Sequence, residues 1–232
     1  LQLVPMIRLL FVSAAVVAAA SAAPTPCTDA QMNTIVKCYT DFYNAYGSKL
    51  DFPGFKDYLN PGGFHEIRTG MLNADGIAAK PTIAKYGKSL TDCLQPVADC
   101  IVDNTYQQAP LSSAGEGHRY NFDRVMTAYE STDPGYSYQM RHYFCFAHFK
   151  EEKDTNALRQ KVTACDDDLT AKTVADPYNP NNCKAYQDNA ECYRSAYAEY
   201  CNADEAGEFW CMIDALEFQL YNPDCVFDCK KH

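Results

Sequence analysis

The pattern of apolar and polar positions repeats one arrangement in two distant parts of the chain. The stretches CYTDFYNAYG (38–47) and CYRSAYAEYC (192–201) each place tyrosine one, five and eight positions after a cysteine. These positions are related as i, i+4 and i+7, which share one face of an α-helix. Each stretch therefore predicts a helix with a stripe of three tyrosines along one side.

The flanking residues predict where these two helices begin and end. Thr28 or Asp29 is expected to cap the first helix, and Gly47 to end it. The second is expected over about 184–200, after the turn-rich segment 176–182. We expect the tyrosines to pack in the core with their phenol groups near water. A binding platform of stacked tyrosines is the alternative.

The remaining apolar periodicities also have helical spacing, and strand-like alternation is sparse. Further amphipathic helices are predicted within residues 89–106, 118–131, 137–149, 154–169 and 206–221. The Gly- and Pro-rich stretch 52–81 is interpreted as a loop with short helical pieces. The expected fold class is therefore all-α, a disulfide-stapled multi-helix bundle with a Gly/Pro-rich loop region.

Two of these segments carry more detailed expectations. Asp92 and Gln95 resemble a capping box within 89–106. In 118–131, the side chains with helical spacing are Phe122, Val125, Met126 and Tyr129. Asp154 or Thr155 is the expected cap of the helix in 154–169.

The segment MIRLLFVSAAVVAAASA (6–22) has the features of a secretory signal peptide. A basic Arg8 precedes a short apolar run, and Ala20 and Ala22 fit the small-residue cleavage rule. Residues 1–22 are therefore predicted to be a signal peptide, with 1–5 an upstream artefact. The expected remainder is a single cysteine-rich helical domain over 23–232, and the alternative is a split near 176–182.

The charge and hydropathy of residues 23–232 limit the kinds of partner that this part of the chain can bind. Without Arg8 it keeps 19 basic residues against 30 acidic ones, a formal charge of −11. An acidic chain disfavours nucleic acids and anionic lipid surfaces as partners. Since no other apolar stretch is long enough to span a membrane, we predict a secreted protein.

The cysteine count predicts an oxidised framework. Twelve cysteines in a secreted chain indicate six disulfides, with the pairing left open. Neighbours in the series Cys183, Cys192 and Cys201 are nine residues apart, on opposite sides of one helix, so each must reach another element. The cysteines are Cys27, Cys38, Cys93, Cys100, Cys145, Cys165, Cys183, Cys192, Cys201, Cys211, Cys225 and Cys229.

The residue patterns that could indicate catalytic or metal chemistry are weak. His142, Cys145 and His148 have a spacing that zinc sites use, but Cys145 is expected in a disulfide. The acidic run CDDDL (165–169) is expected to be a solvated face, with weak calcium binding as the alternative. The chain has no GxSxG, HExxH or paired CxxC motif. We therefore predict no cofactor, no metal site and no enzyme activity.

Several of these features resemble the cysteine-rich secreted domains of unknown function that are expanded in nematodes. The matching features are a signal peptide followed directly by Cys27, the two CY-x3-Y-x2-Y helices, EFWC (208–211) and NPDCVFDC (222–229). The resemblance covers essentially the whole chain after residue 22. It implies an extracellular protein without an established activity and without catalytic residues to carry over.

The expected function is therefore extracellular binding. The leading hypothesis is a non-enzymatic interaction protein whose partner is an unknown extracellular protein. The alternative is a carrier of small apolar ligands, such as a fatty acid or a sterol, because helical bundles enclose cavities and this chain has 17 tyrosines and 12 phenylalanines. An unrecognised hydrolase or a protease inhibitor is the third hypothesis.

Overall fold

The computed structural model describes most of the chain as helices joined by short connections. The described residues are 25–47, 64–111, 116–147, 151–173 and 179–230. Within these ranges no β-strand occurs, so the predicted all-α class is confirmed. The predicted signal peptide, residues 1–22, lies outside the described residues.

The α-helices are α1 (Asp29–Ala45), α2 (Phe64–Asp75), α3 (Lys80–Leu94), α4 (Asp103–Gln107), α5 (Gly117–Glu130), α6 (Gly135–Phe146), α7 (Glu152–Lys172), α8 (Cys183–Cys201) and α9 (Asp204–Gln219). Short 3₁₀ helices occupy Gly76–Ala79, Gln95–Cys100 and Pro180–Asn182.

The two tyrosine-striped helices have the predicted bounds. α1 begins with a capping box, in which the Thr28 backbone N–H donates to Gln31 Oε1 at 2.8 Å and the Gln31 N–H donates to Thr28 Oγ1 at 3.4 Å. Its end is marked by Gly47 with a φ of +74°, a conformation that glycine adopts without steric cost. α8 ends at Cys201 and is followed by its C-cap Asn202, which has a left-handed conformation with a φ of +51°.

Two predicted helix starts are wrong. α3 continues through Asp92, whose carboxylate accepts hydrogen bonds from Lys88 Nζ at 2.7 and 2.9 Å instead of capping a new helix. α7 begins at Glu152, so Asp154 and Thr155 lie inside its first turn. Asp92 is thus held by an i,i+4 ion pair within α3, and in α7 Thr155 Oγ1 donates back to the Glu151 carbonyl oxygen at 3.3 Å.

The stretch 52–81 is more helical than predicted. α2, a 3₁₀ turn and the start of α3 occupy its residues from Phe64 onward, while 52–63 lie outside the described residues. Gly70 is tolerated at an exposed position within α2, and Gly76 ends that helix with a φ of +57°. These glycines therefore accompany a helix and its end, and the helices in 64–81 are longer than the predicted short helical pieces.

Two groups of aromatic side chains form much of the core. In the α1 stripe, Tyr39 and Tyr43 are buried and Tyr46 is partly buried, in a cluster with residues of α3 and the segment after it. The Tyr39 hydroxyl hydrogen-bonds to the Tyr106 hydroxyl at 2.8 Å. The α8 stripe packs between α7 and α9, where the Tyr197 ring stacks on Trp210 with centroids 4.5 Å apart. Core packing of the stripes is confirmed, although the phenol group of Tyr39 is buried and does not lie near water.

All twelve cysteines are paired, and the pairs fall into two groups along the chain. The bridges are Cys27–Cys100, Cys38–Cys93, Cys145–Cys201, Cys165–Cys192, Cys183–Cys225 and Cys211–Cys229. As predicted, the three cysteines of α8 reach three different elements. No bridge joins the 27–100 group to the 145–229 group, and two bridges of the second group span residues 176–182. The single-domain organisation stays a prediction.

The face of α5 that enters the core is not the apolar one. Phe122, Val125, Met126 and Tyr129 are only partly buried, whereas the fully buried residues of this helix are Gly117, Tyr120, Asn121, Asp123 and Thr127. The polar face of α5 can be buried because Arg68 of α2 lies against it and pairs with Asp123. Its guanidinium Nη1 is 3.0 Å from Asp123 Oδ1.

Candidate ligand-binding cavity

A cavity of about 500 Å³ lies between α2, the start of α3 and α6. Its apolar wall includes Leu72, Phe146 and Ala147, and its polar wall includes Lys80 and Gln139. The cavity is partly open to solvent. Ligand pockets in proteins have volumes of about 300–1,000 Å³ and combine apolar walls with a few polar groups, so this cavity has the size and lining of a small-molecule site.

The polar end of the cavity is built by Lys80 and Gln139. Lys80 is the first residue of α3, and Gln139 lies on the buried side of α6 with 4% of its surface exposed. Lys80 Nζ donates a hydrogen bond to Gln139 Oε1. Burial lowers the pKa of the Lys80 ammonium, and the negative charge of Glu130 opposes this effect only in part.

A cluster of charged side chains lies behind this polar end. Arg68 donates to Asp123 and to Glu130, and its Nη1 also donates to Thr127 Oγ1 at 3.3 Å. Thr127 Oγ1 donates in turn to Asp123 Oδ2 at 3.2 Å. These contacts engage the carboxylates of Asp123 and Glu130 with the guanidinium of Arg68, as a buried charge requires.

The cavity is connected to the aromatic core through Phe146. The Phe146 ring stacks on Phe209 at 5.0 Å and meets Trp210 edge to face at 5.9 Å. Trp210 is the only tryptophan of the chain. Its fluorescence is therefore expected to respond to changes at Phe146, which lines the cavity.

A second polar cluster lies elsewhere, where α4 and α5 meet the end of α9. His118 Nε2 is 2.7 Å from Glu217 Oε1, and its Nδ1 hydrogen-bonds to the Tyr221 hydroxyl and is 3.5 Å from Asp103 Oδ2. Tyr221 also donates to Asp103. The carboxylates of Asp103 and Glu217 raise the pKa of His118 to about 9. The protonated imidazole of His118 thus forms ion pairs with the two carboxylates of Asp103 and Glu217.

The metal alternatives raised by the sequence have no geometric support in the described residues. Cys145 is bonded to Cys201, so its sulfur is not a thiolate ligand, and His142 Nε2 lies 3.1 Å from Glu205 Oε2. His148 lies outside the described residues. In the described part of the chain, no three His, Cys, Asp or Glu side chains converge as metal ligands.

The residues of the cavity were not singled out from the sequence. Lys80 lies in the stretch interpreted as a loop, and Gln139 is a polar residue within an aromatic segment. One local signal exists, because a lysine in the first turn of a helix is unfavourable next to the positive end of the helix dipole. Such a residue is a reason to look for a role other than helix stability.

In comparisons with known proteins, no family model, no curated protein and no solved structure matches the chain.

Proposed function

We propose that this protein is a secreted, non-enzymatic binding protein that holds a small ligand with an apolar body in the cavity between α2, α3 and α6. The observation that supports it best is the cavity itself, whose volume of about 500 Å³ and mixed lining match those of small-molecule sites. This is the carrier alternative of the sequence-based hypotheses, placed at a particular site.

The proposed extracellular location is supported by the disulfides. Six bridges in one chain are typical of proteins that fold in an oxidising compartment. Across the described ranges, no helix is both long and apolar enough to cross a membrane. The signal peptide and the resemblance to nematode cysteine-rich secreted domains are part of the same proposal.

The distribution of exposed apolar side chains favours a small ligand over a protein partner. Among the described residues, the strongly exposed large apolar side chains are Phe144 and Val226, at 62% and 73% exposure. They lie on different elements, one on α6 and one in the segment after α9. Isolated exposed apolar residues are normal, whereas an interface needs a contiguous patch. The cavity is therefore the better-supported binding feature.

The test is a fluorescence titration with Nile red, an uncharged apolar dye. Leu72→Trp places an indole against the cavity wall and is expected to weaken dye binding by about tenfold or more, because the ring occupies ligand space. The matched control is Ala74→Trp, which puts the same side chain at an exposed position of α2. Saturable binding that is equal in both variants and the unmodified protein, or no saturable binding at all, would contradict the proposal.

A further inference from the structure

We infer that the ligand of this cavity is a monocarboxylate with a hydrocarbon body, whose carboxylate binds between Lys80 and Gln139. This inference rests on the proposed function and adds the chemical class of the ligand. Three features carry it: a surplus of hydrogen-bond donors at one end of the cavity, a lysine that has no carboxylate partner among the described residues, and an apolar wall beside them.

The donor surplus follows from the hydrogen bonds of the two side chains. A lysine ammonium has three donors and no acceptor. The hydrogen bond of the Lys80 ammonium is to Gln139 Oε1, which fixes the orientation of that amide, since the flipped amide would oppose two donors. Among the described residues, Gln139 Nε2 is then a buried donor without a partner. The ammonium also has more donors than the one that this hydrogen bond uses, so the complementary ligand group is an acceptor.

The ion pairs near Lys80 indicate that the acceptor group of the ligand carries a negative charge. No carboxylate of the described residues lies within ion-pair distance of Lys80 Nζ, whereas Arg68 is paired with both Asp123 and Glu130. The nearby carboxylates are therefore already engaged by a stronger bidentate donor. A partly buried ammonium whose direct partner is a neutral amide gains most from a single negative charge.

The apolar wall defines the rest of the ligand. Leu72, Phe146 and Ala147 line the cavity and cannot hydrogen-bond through their side chains. A ligand that is charged throughout would lose its hydration against this wall without compensation. The overall acidity of the chain also repels anions at long range, so an anion must be held by local contacts and by burial of its apolar part.

The test compares two ligands that share one hydrocarbon chain and differ in the head group, octanoate and 1-octanol, by isothermal titration calorimetry. The unmodified protein is expected to bind octanoate about tenfold more tightly than 1-octanol, because only the carboxylate pairs with the ammonium. Lys80→Met keeps the length and apolar stem of the side chain and removes its charge. It should abolish the preference while 1-octanol still binds, which shows that the cavity is intact.

The matched control is Lys85→Met, which removes an exposed lysine from the same helix and should keep the full preference for octanoate. Equal binding of the two ligands by the unmodified protein would overturn the carboxylate inference and leave the proposed function standing. A preference that survives in Lys80→Met would place the anion elsewhere and also overturn the inference. If neither ligand binds and Nile red also fails, the proposed function itself is wrong.

Discussion

At the scale of single residues, the tyrosines combine a buried ring with a polar end that needs a partner. Tyr39 and Tyr106 solve this by hydrogen-bonding to each other at 2.8 Å inside the core. Burial raises the pKa of Tyr46 to about 12, because the phenolate would lose its hydration. Burial also raises the pKa of Tyr39, so the hydroxyls of Tyr39 and Tyr46 stay protonated at physiological pH.

Replacing a stripe tyrosine tests this role directly. Tyr43→Ala removes a ring that is 2% exposed and should lower the free energy of unfolding by about 2–4 kcal/mol, because a cavity remains in the core. Chemical denaturation followed by circular dichroism measures the change. Phe144→Ala, at a position 62% exposed, is the control and should cost less than about 0.5 kcal/mol. Similar losses for the two variants would show that Tyr43 is not a core residue.

At the scale of secondary-structure elements, α8 and α9 have the most extensive contact of any two described helices. Gly207 allows this approach, because a Cβ built on it would lie 2.3 Å from the Arg194 carbonyl oxygen and 2.9 Å from Ala198 Cβ. The stacking of Tyr197 on Trp210 occurs across the same pair. The small residue therefore sets the helix spacing that brings the α8 stripe onto α9.

Gly207→Ala should destabilise the protein by about 1–3 kcal/mol, since the added methyl group meets backbone atoms that cannot move without separating the helices. Gly70 offers a matched control, because a Cβ there meets nothing within 4 Å and the position is an exposed one inside α2. Gly70→Ala should be neutral or stabilising by up to about 1 kcal/mol. Thermal melts of the two variants measure the difference, and a neutral Gly207→Ala would refute the close approach.

At the scale of the whole molecule, the two disulfide groups are held to each other by non-covalent contacts. The cluster around His118 is one of these contacts, since it joins Asp103 and α5, which precede the second group, to Glu217 and Tyr221 in the C-terminal part. The cluster is charged, and its strength depends on the protonation of one histidine. The association of the two parts is therefore expected to respond to pH.

The expected response follows from the pKa of His118, which is about 9 in the folded protein against about 6.5 in an unfolded chain. Because the folded value is higher, this contribution to stability is fully present below pH 6.5 and is lost as the pH rises through 9. The loss should be of the order of 1–2 kcal/mol, reduced by the partial exposure of the ring. Denaturant titrations between these two pH values measure it.

His118→Gln should remove this part of the pH dependence, because a neutral amide cannot gain or lose the proton. The control is His142→Gln, which removes a histidine outside the cluster and should keep the decline above pH 6.5. A His118→Gln variant with the same decline as the unmodified protein would mean that other groups cause it.

The sequence was sufficient for those features that depend on residues close in the chain. The bounds of α1 and α8, the burial of their tyrosines and the spread of the α8 cysteines over different partners follow from helical periodicity, which is local. The composition of 52–81 understates the helical content of 64–81, because Gly and Pro residues are also typical of loops. A glycine with positive φ also ends a helix, and composition alone does not distinguish the two cases.

By itself, then, the sequence determined the helical class, the tyrosine-lined faces and a chain rich in cysteines that must cross-link different elements. Only the tertiary structure decided which cysteines pair, that α5 buries the polar face of Asp123, and that Lys80 meets Gln139 beside a cavity. The physical reason is distance along the chain. Arg68 and Asp123 are 55 residues apart and Lys80 and Gln139 are 59 apart, so the partner that makes each buried polar group favourable is supplied by the fold.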